Sequence, residues 1–120
     1  MKFKLIEIYN LVKGLAKVTE KELPIKVSYR LSKFLKICSS EMEIMEASRV
    51  KLVEKYSDSD MSEKNKKVAD ENIDKFQEDF TSLVNEEIDI DFEPISINDL
   101  GDISISANDL LFISKIIKEN

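Results

Sequence analysis

The sequence predicts a mainly α fold of α+β type: one long central helix, three shorter helices and a small β-hairpin. Three observations lead there. The 120 residues include only two glycines and two prolines, so tight turns are few and elements are long. Neither residue occurs between Pro24 and Pro94. Apolar residues recur at helical spacing over most of the chain and alternate strictly only near residue 90. A chain of this length is a single domain, 1–120.

The elements follow in order. Lys2 to Leu5 is a short strand candidate. Leu5, Ile8, Tyr9, Val12, Leu15 and Ala16 form one apolar stripe on a first helix, about residues 6–18. Pro24 sits where proline is welcome, at the first position of a helix. From Ile25 to about Ser57 the residues are good helix formers, about 33 of them or ~50 Å at 1.5 Å per residue. Leu31, Leu35, Cys38, Met42, Met45, Arg49, Leu52 and Tyr56 are spaced 4, 3, 4, 3, 4, 3 and 4 apart. That is an a/d heptad seam, with Met42 and Met45 as adaptable packing. Val27, Phe34, Ile37 and Ile44 widen its apolar face. One helix cannot bury such a face alone, so it packs on the other helices, on a copy of itself, or on both.

The stretch SDSDMSEKNKK, 57–67, is polar and patternless and reads as a loop. Asp70 or Asn72 then caps a helix carrying Ile73, Phe76, Phe80, Leu83 and Val84 to about Glu87. Ile88, Ile90 and Phe92 alternate with Asp89, Asp91 and Glu93, the pattern of a half-buried strand. Pro94 makes it an edge strand or ends it. Ile103 and Ile105 flank Ser104 after the turn NDLGD, which suggests a hairpin-like pair with the 88–92 strand. Ser106 and Asp109 form a capping-box-like start for a last helix with Leu110, Ile113, Ile116 and Ile117.

Composition excludes much chemistry. There is no histidine and one cysteine, Cys38, which removes zinc sites, Cys–His catalysis and an internal disulfide. No GxxxxGK[ST], GxGxxG or GxSxG occurs. No catalytic residue, metal or cofactor is assigned, and the chain is read as a non-enzyme. Charges interrupt every apolar run, so no membrane segment is expected. The location expected is a reducing cytoplasm.

Charge is divided unevenly. Residues 1–57 hold 12 Lys and Arg against 7 Asp and Glu, net +5; residues 58–120 hold 6 against 17, net −11. Either the halves neutralise each other within the fold or across a dimer, or a basic helix face receives an anion. Lys26, Arg30 and Lys33 line one such face, and phosphates would suit it. The net charge of −6 and pI near 4.8 argue against duplex nucleic acid. Arg49 interrupts the apolar seam. It either pairs with Glu46 or Glu41 of a neighbouring helix and fixes register, or grips a ligand's carboxylate or phosphate, with Tyr56 lining that pocket or simply packing. Asp89, Asp91 and Glu93 stand in line along a strand, so they read as an acidic, partner-facing edge that deters aggregation rather than as a metal site.

The opening MKFKLIEIYN, the run ELPIKVSYRLSKFLK, the stretch EASRVKLVEKY and the closing IDIDFEPISINDLGDISISANDLLFI resemble one kind of protein. These are short, uncharacterised proteins of tailed phages and prophages of low-GC Gram-positive bacteria. The resemblance covers nearly the whole chain and has no assigned activity, so it transfers no functional residues. It implies a phage accessory protein made in the host cytoplasm. The expectation is a homo-oligomer, paired through its long helix, that neutralises a host defence protein or sequesters a small anionic nucleotide signal. For a nucleotide the contacts expected are Lys26, Arg30, Lys33 and Arg49, with Tyr56 stacking; for a protein, Asp89, Asp91 and Glu93. The alternative is a phage assembly or scaffolding component.

Overall fold

The structure, a computed structural model, describes residues 1–57 and 67–119. The first helix, α1, runs Leu5–Val18 directly out of a three-residue strand, β1, Lys2–Lys4. Glu7 helps start it by accepting the Lys4 backbone N–H at 2.9 Å, a contact that also places a carboxylate at the positive end of the helix. Its buried face is Leu5, Ile8, Leu11, Gly14, Leu15 and Val18. The expected stripe is therefore rotated: Tyr9 is 42% exposed and Ala16 faces outward. The reason is that α1 has two neighbours, and the side carrying Leu11, Gly14 and Val18 is also covered.

The long helix is present without a break. Helix α2 spans Ile25–Tyr56, 32 residues, with Pro24 at its cap. Ser40 and Ser48 return their hydroxyls to the carbonyls of Lys36 and Ile44, so the Ser39–Ser40 pair causes no interruption. This helix sets the 55 Å long axis of the chain, against about 25 Å in the other directions.

Helix α3 follows as Ile73–Val84, after a single 3₁₀ turn at Asp70–Asn72. Asn72 does not cap it with its side chain; its Nδ2 donates instead to the Tyr56 carbonyl at 3.2 Å, closing the far end of α2. The loop expected at 57–67 lies outside the described residues apart from its ends.

The small antiparallel element forms, with a different second strand. Strand β2, Glu87–Asp89, pairs with β1, placing Lys2 opposite Asp89, Phe3 opposite Ile88 and Lys4 opposite Glu87. Ile103 and Ile105 are half-buried but join no ladder. Pairing with β1 sets one apolar pair on the inner face and two opposite-charge pairs on the outer one, a favourable cross-strand arrangement. The chain then forms β3, Ile95–Ser96, which lies parallel to β4, Ile117–Lys118. Between them comes α4, Ala107–Ile113, whose start is held by Ser106 Oγ accepting from the Asp109 N–H at 3.1 Å. The last helix is thus shorter than expected, with Ile116 in a 3₁₀ turn and Ile117 in a strand.

The core lies over the first half of α2. Val27, Leu31, Phe34 and Cys38 are buried there against Phe3, the inner face of α1, Ile90, Ile95, Leu100, Ile113 and Ile116. Phe34 joins the layers, its ring 5.7 Å from that of Phe3 and 4.6 Å from that of Phe92, distances at which aromatic pairs add to burial. Beyond Cys38 the seam residues Met42, Met45, Leu52 and Tyr56 are only half-buried, with α3 as the packed neighbour.

Candidate interaction surface: an acidic edge beside a basic helix

Residues 86–93 cross the front of α2. The apolar members turn inward: Ile90 is buried, Ile88 and Phe92 half-buried. Alternation then turns Glu87, Asp89, Asp91 and Glu93 outward; all four are exposed, as is Glu86 just ahead of the strand. The side chains of Asp89 and Glu93 keep 73% and 81% of their area in solvent. No lysine or arginine occurs between Lys75 and Lys115, so nothing within this segment offsets the charge.

The edge is held from both ends. At one end is the β1 ladder, extended by the Ile90 N–H donating to the Met1 carbonyl at 2.9 Å. At the other is Arg30. Its guanidinium donates from Nη2 to the Glu93 carbonyl and lies over the Phe92 ring, 5.3 Å from the centroid. Phe92 in turn sits on Phe34. Arg30 therefore seals the rim of the core and fixes an extended segment that has no strand partner there. Lys118 adds a looser contact to Glu93 Oε1 at 3.8 Å.

Four of the residues singled out from sequence meet here. Arg30 and Lys33 from α2, with Asp91 and Glu93 from the edge, line a half-open cleft of about 200 Å³, together with Phe34, Ile37, Ile90 and Phe92. Lys26 stands in the next depression, about 450 Å³, where Arg30 and Asp99 also take part. Lys33 rests its ammonium 5.4 Å from the Tyr29 ring. An anion entering the cleft would face two carboxylates and an arginine already engaged.

Arg49 and Tyr56 lie elsewhere, Arg49 ~28 Å further along α2 by helical rise. Arg49 is answered on its own helix, not by a neighbouring one: Nε and Nη2 reach the two Glu46 oxygens at 2.9 and 2.6 Å. That bidentate contact holds the Glu46 carboxyl below its ordinary range and raises the guanidinium. Its side chain is 40% exposed, and among the described residues no charged residue is buried. Tyr56 donates its hydroxyl to Asp79 Oδ2 of α3, which pushes the phenol up from its usual value, burial adding to the effect. The five expected nucleotide contacts thus do not converge.

Two features went unmarked in the sequence. Lys115 donates to the Lys2 carbonyl at 2.7 Å and to Glu7 Oε2 at 2.9 Å, with its ammonium 4.8 Å from the Phe3 ring. The other is the line of three phenylalanines, Phe3, Phe34 and Phe92. It had a partial signal in the period-2 placing of Phe92, but Phe3 lies outside any local pattern. Cys38 is buried, and burial, aided by Glu41, pushes its thiol up to about 12; it has no thiolate to offer at neutral pH.

Among the described residues no three carboxylate or thiol groups gather as metal ligands, and no helix is long and apolar enough to cross a membrane. No family model, curated protein or solved structure matches the chain.

Proposed function

We propose that this chain is a non-enzymatic accessory protein that docks its acidic edge, Glu86 to Glu93, on a basic surface of another protein and thereby neutralises it. The observation that carries the reading is the fixed, one-signed row of exposed carboxylates at Glu86, Glu87, Asp89, Asp91 and Glu93. A row pinned by a ladder and an arginine clamp loses little freedom on binding, and a single sign of charge speeds encounter with a basic partner. With the resemblance to phage proteins, the partner proposed is a host defence protein in the bacterial cytoplasm.

The nucleotide reading is weaker on physical grounds. Ligand pockets for small molecules span about 300–1,000 Å³; the Arg30–Lys33 cleft is about 200 Å³ with Asp91 and Glu93 in its wall. The larger depression of about 450 Å³ takes in Lys26 and Arg30 but not Lys33, Arg49 or Tyr56, with Asp99 in its lining. The assembly alternative draws on a different feature, the apolar residues left outside on α2 such as Ile44, 61% exposed.

The test is capture from host lysate by the wild-type chain and by an Asp89→Asn, Asp91→Asn, Glu93→Gln variant. The expected result is a defined host protein whose binding weakens with salt and drops about tenfold or more in the variant, at unchanged helicity. Equal capture by both chains overturns it.

A further inference from the structure

The seam read from sequence is buried at Leu31 and Cys38 and half-buried at its other positions, yet α2 carries a second seam on another face, whose Arg30 end borders the Phe92–Glu93 segment. Lys26, Arg30, Lys33, Ile37, Ser40, Ile44, Ala47 and Lys51 recur at spacings of 4, 3, 4, 3, 4, 3 and 4, again an a/d pattern. Its centre is apolar and small: Ile37 is 42% exposed and Ile44 61% exposed, with Ser40 and Ala47 exposed between and beside them. Small residues at alternate seam positions let two backbones come close.

The charges beside this seam are segregated along the helix. From Lys26 to Lys36 every charged residue is basic, and from Glu41 to Glu46 every one is acidic. A parallel copy would set like on like. An antiparallel copy centred near Ser39 sets the basic run of each chain against the acidic run of the other. In that register residue i faces residue 77 − i, so Ile37 meets Ser40, Ile44 lies along the Lys33 stem, and Lys36 stands across the helix flank from Glu43. Among the described residues, Lys33, Lys36, Glu41 and Glu43 form no ion pair within the chain, so these groups are available. Lys36 and Glu43 are both exposed.

We infer that a second copy of this chain pairs with α2 along this outer seam, antiparallel, with reciprocal Lys36–Glu43 contacts around an Ile37–Ser40–Ile44 centre. The pairing is isologous and closes as a dimer. The Ile37 end of this seam shares a cleft with Asp91 and Glu93, so the two surfaces adjoin; the oligomeric state of the purified chain and capture of a host protein read them separately.

Sedimentation equilibrium on the purified chain tests it, with far-UV circular dichroism as the check on folding. The wild type is expected to be a dimer at micromolar concentration, and Ile44→Glu a helical monomer. Lys36→Glu is expected to weaken association about tenfold, since two attractions become two repulsions. Adding Glu43→Lys to that same chain is expected to restore it. A monomeric wild type overturns the proposal; so does a dimer indifferent to Ile44→Glu, or a charge-swapped double variant no better than Lys36→Glu alone.

Discussion

Arg30 and Arg49 sit on the same helix, and their surroundings assign them different work. Arg49 pairs one turn back with Glu46 in solvent, where a surface ion pair contributes little; Arg49→Leu should leave the urea midpoint unchanged within repeat error. Arg30 joins an aromatic face to the Glu93 backbone carbonyl. Arg30→Ala should destabilise the chain by about 1–2 kcal/mol in urea titration and speed amide exchange over 90–93. Arg30→Lys should recover little, since an ammonium neither stacks nor forks. The Glu7 carboxyl is pushed up by burial, but hydrogen bonds from Lys115 and the Lys4 N–H outweigh this and hold it below its ordinary value. A depressed folded value means the contact contributes fully above the ordinary carboxylate range and fades as pH falls through the folded value. Glu7→Gln should therefore cost roughly 0.5 kcal/mol at pH 7, the deficit shrinking in acid titrations. Sequence marked Arg30 by its place in a basic row, but its work depends on Phe92 and Glu93, more than sixty positions away, which no local spacing reveals.

At the scale of elements, α1 and α4 cross tightly at Gly14. A Cβ added at Gly14 would lie 2.7 Å from Ile113 Cγ2 and 2.8 Å from Phe112 Cβ, inside contact distance. Gly14→Ala would gain about 1 kcal/mol of helix propensity yet overpack the crossing, and a net loss of about 1–3 kcal/mol is expected; a lower urea midpoint with an unchanged slope would show it. The long helix was legible because propensity and heptad spacing are local properties of 25–56. The inward and outward faces of 88–92 were legible too, though only Glu87–Asp89 pairs as a strand. Its partner was not: β1 and β2 are joined by long-range pairing, whereas pattern reading favours the nearest alternating segment, here 103–105. The α1 stripe was rotated for a related reason, since a helix with two neighbours buries a wider arc than its strongest apolar line.

For the whole molecule, the uneven charge resolves into geometry. Part of the +5 and −11 is neutralised within the chain, as Lys55 beside Asp79 and Lys118 beside Glu93 show. The remainder faces out along 86–93. Of the residues proposed from sequence as partner contacts, Asp89, Asp91 and Glu93 do share one exposed edge. Those proposed for a nucleotide scatter over three places, because the row Lys26, Arg30 and Lys33 was visible as spacing while its neighbouring carboxylates were not. Native mass spectrometry of the chain purified from bacterial cells separates the two directly. The expected spectrum shows a complex with a host protein that dissociates as salt rises, and no retained nucleotide mass. A chain carrying a tightly bound nucleotide and no protein partner would contradict acidic-edge docking.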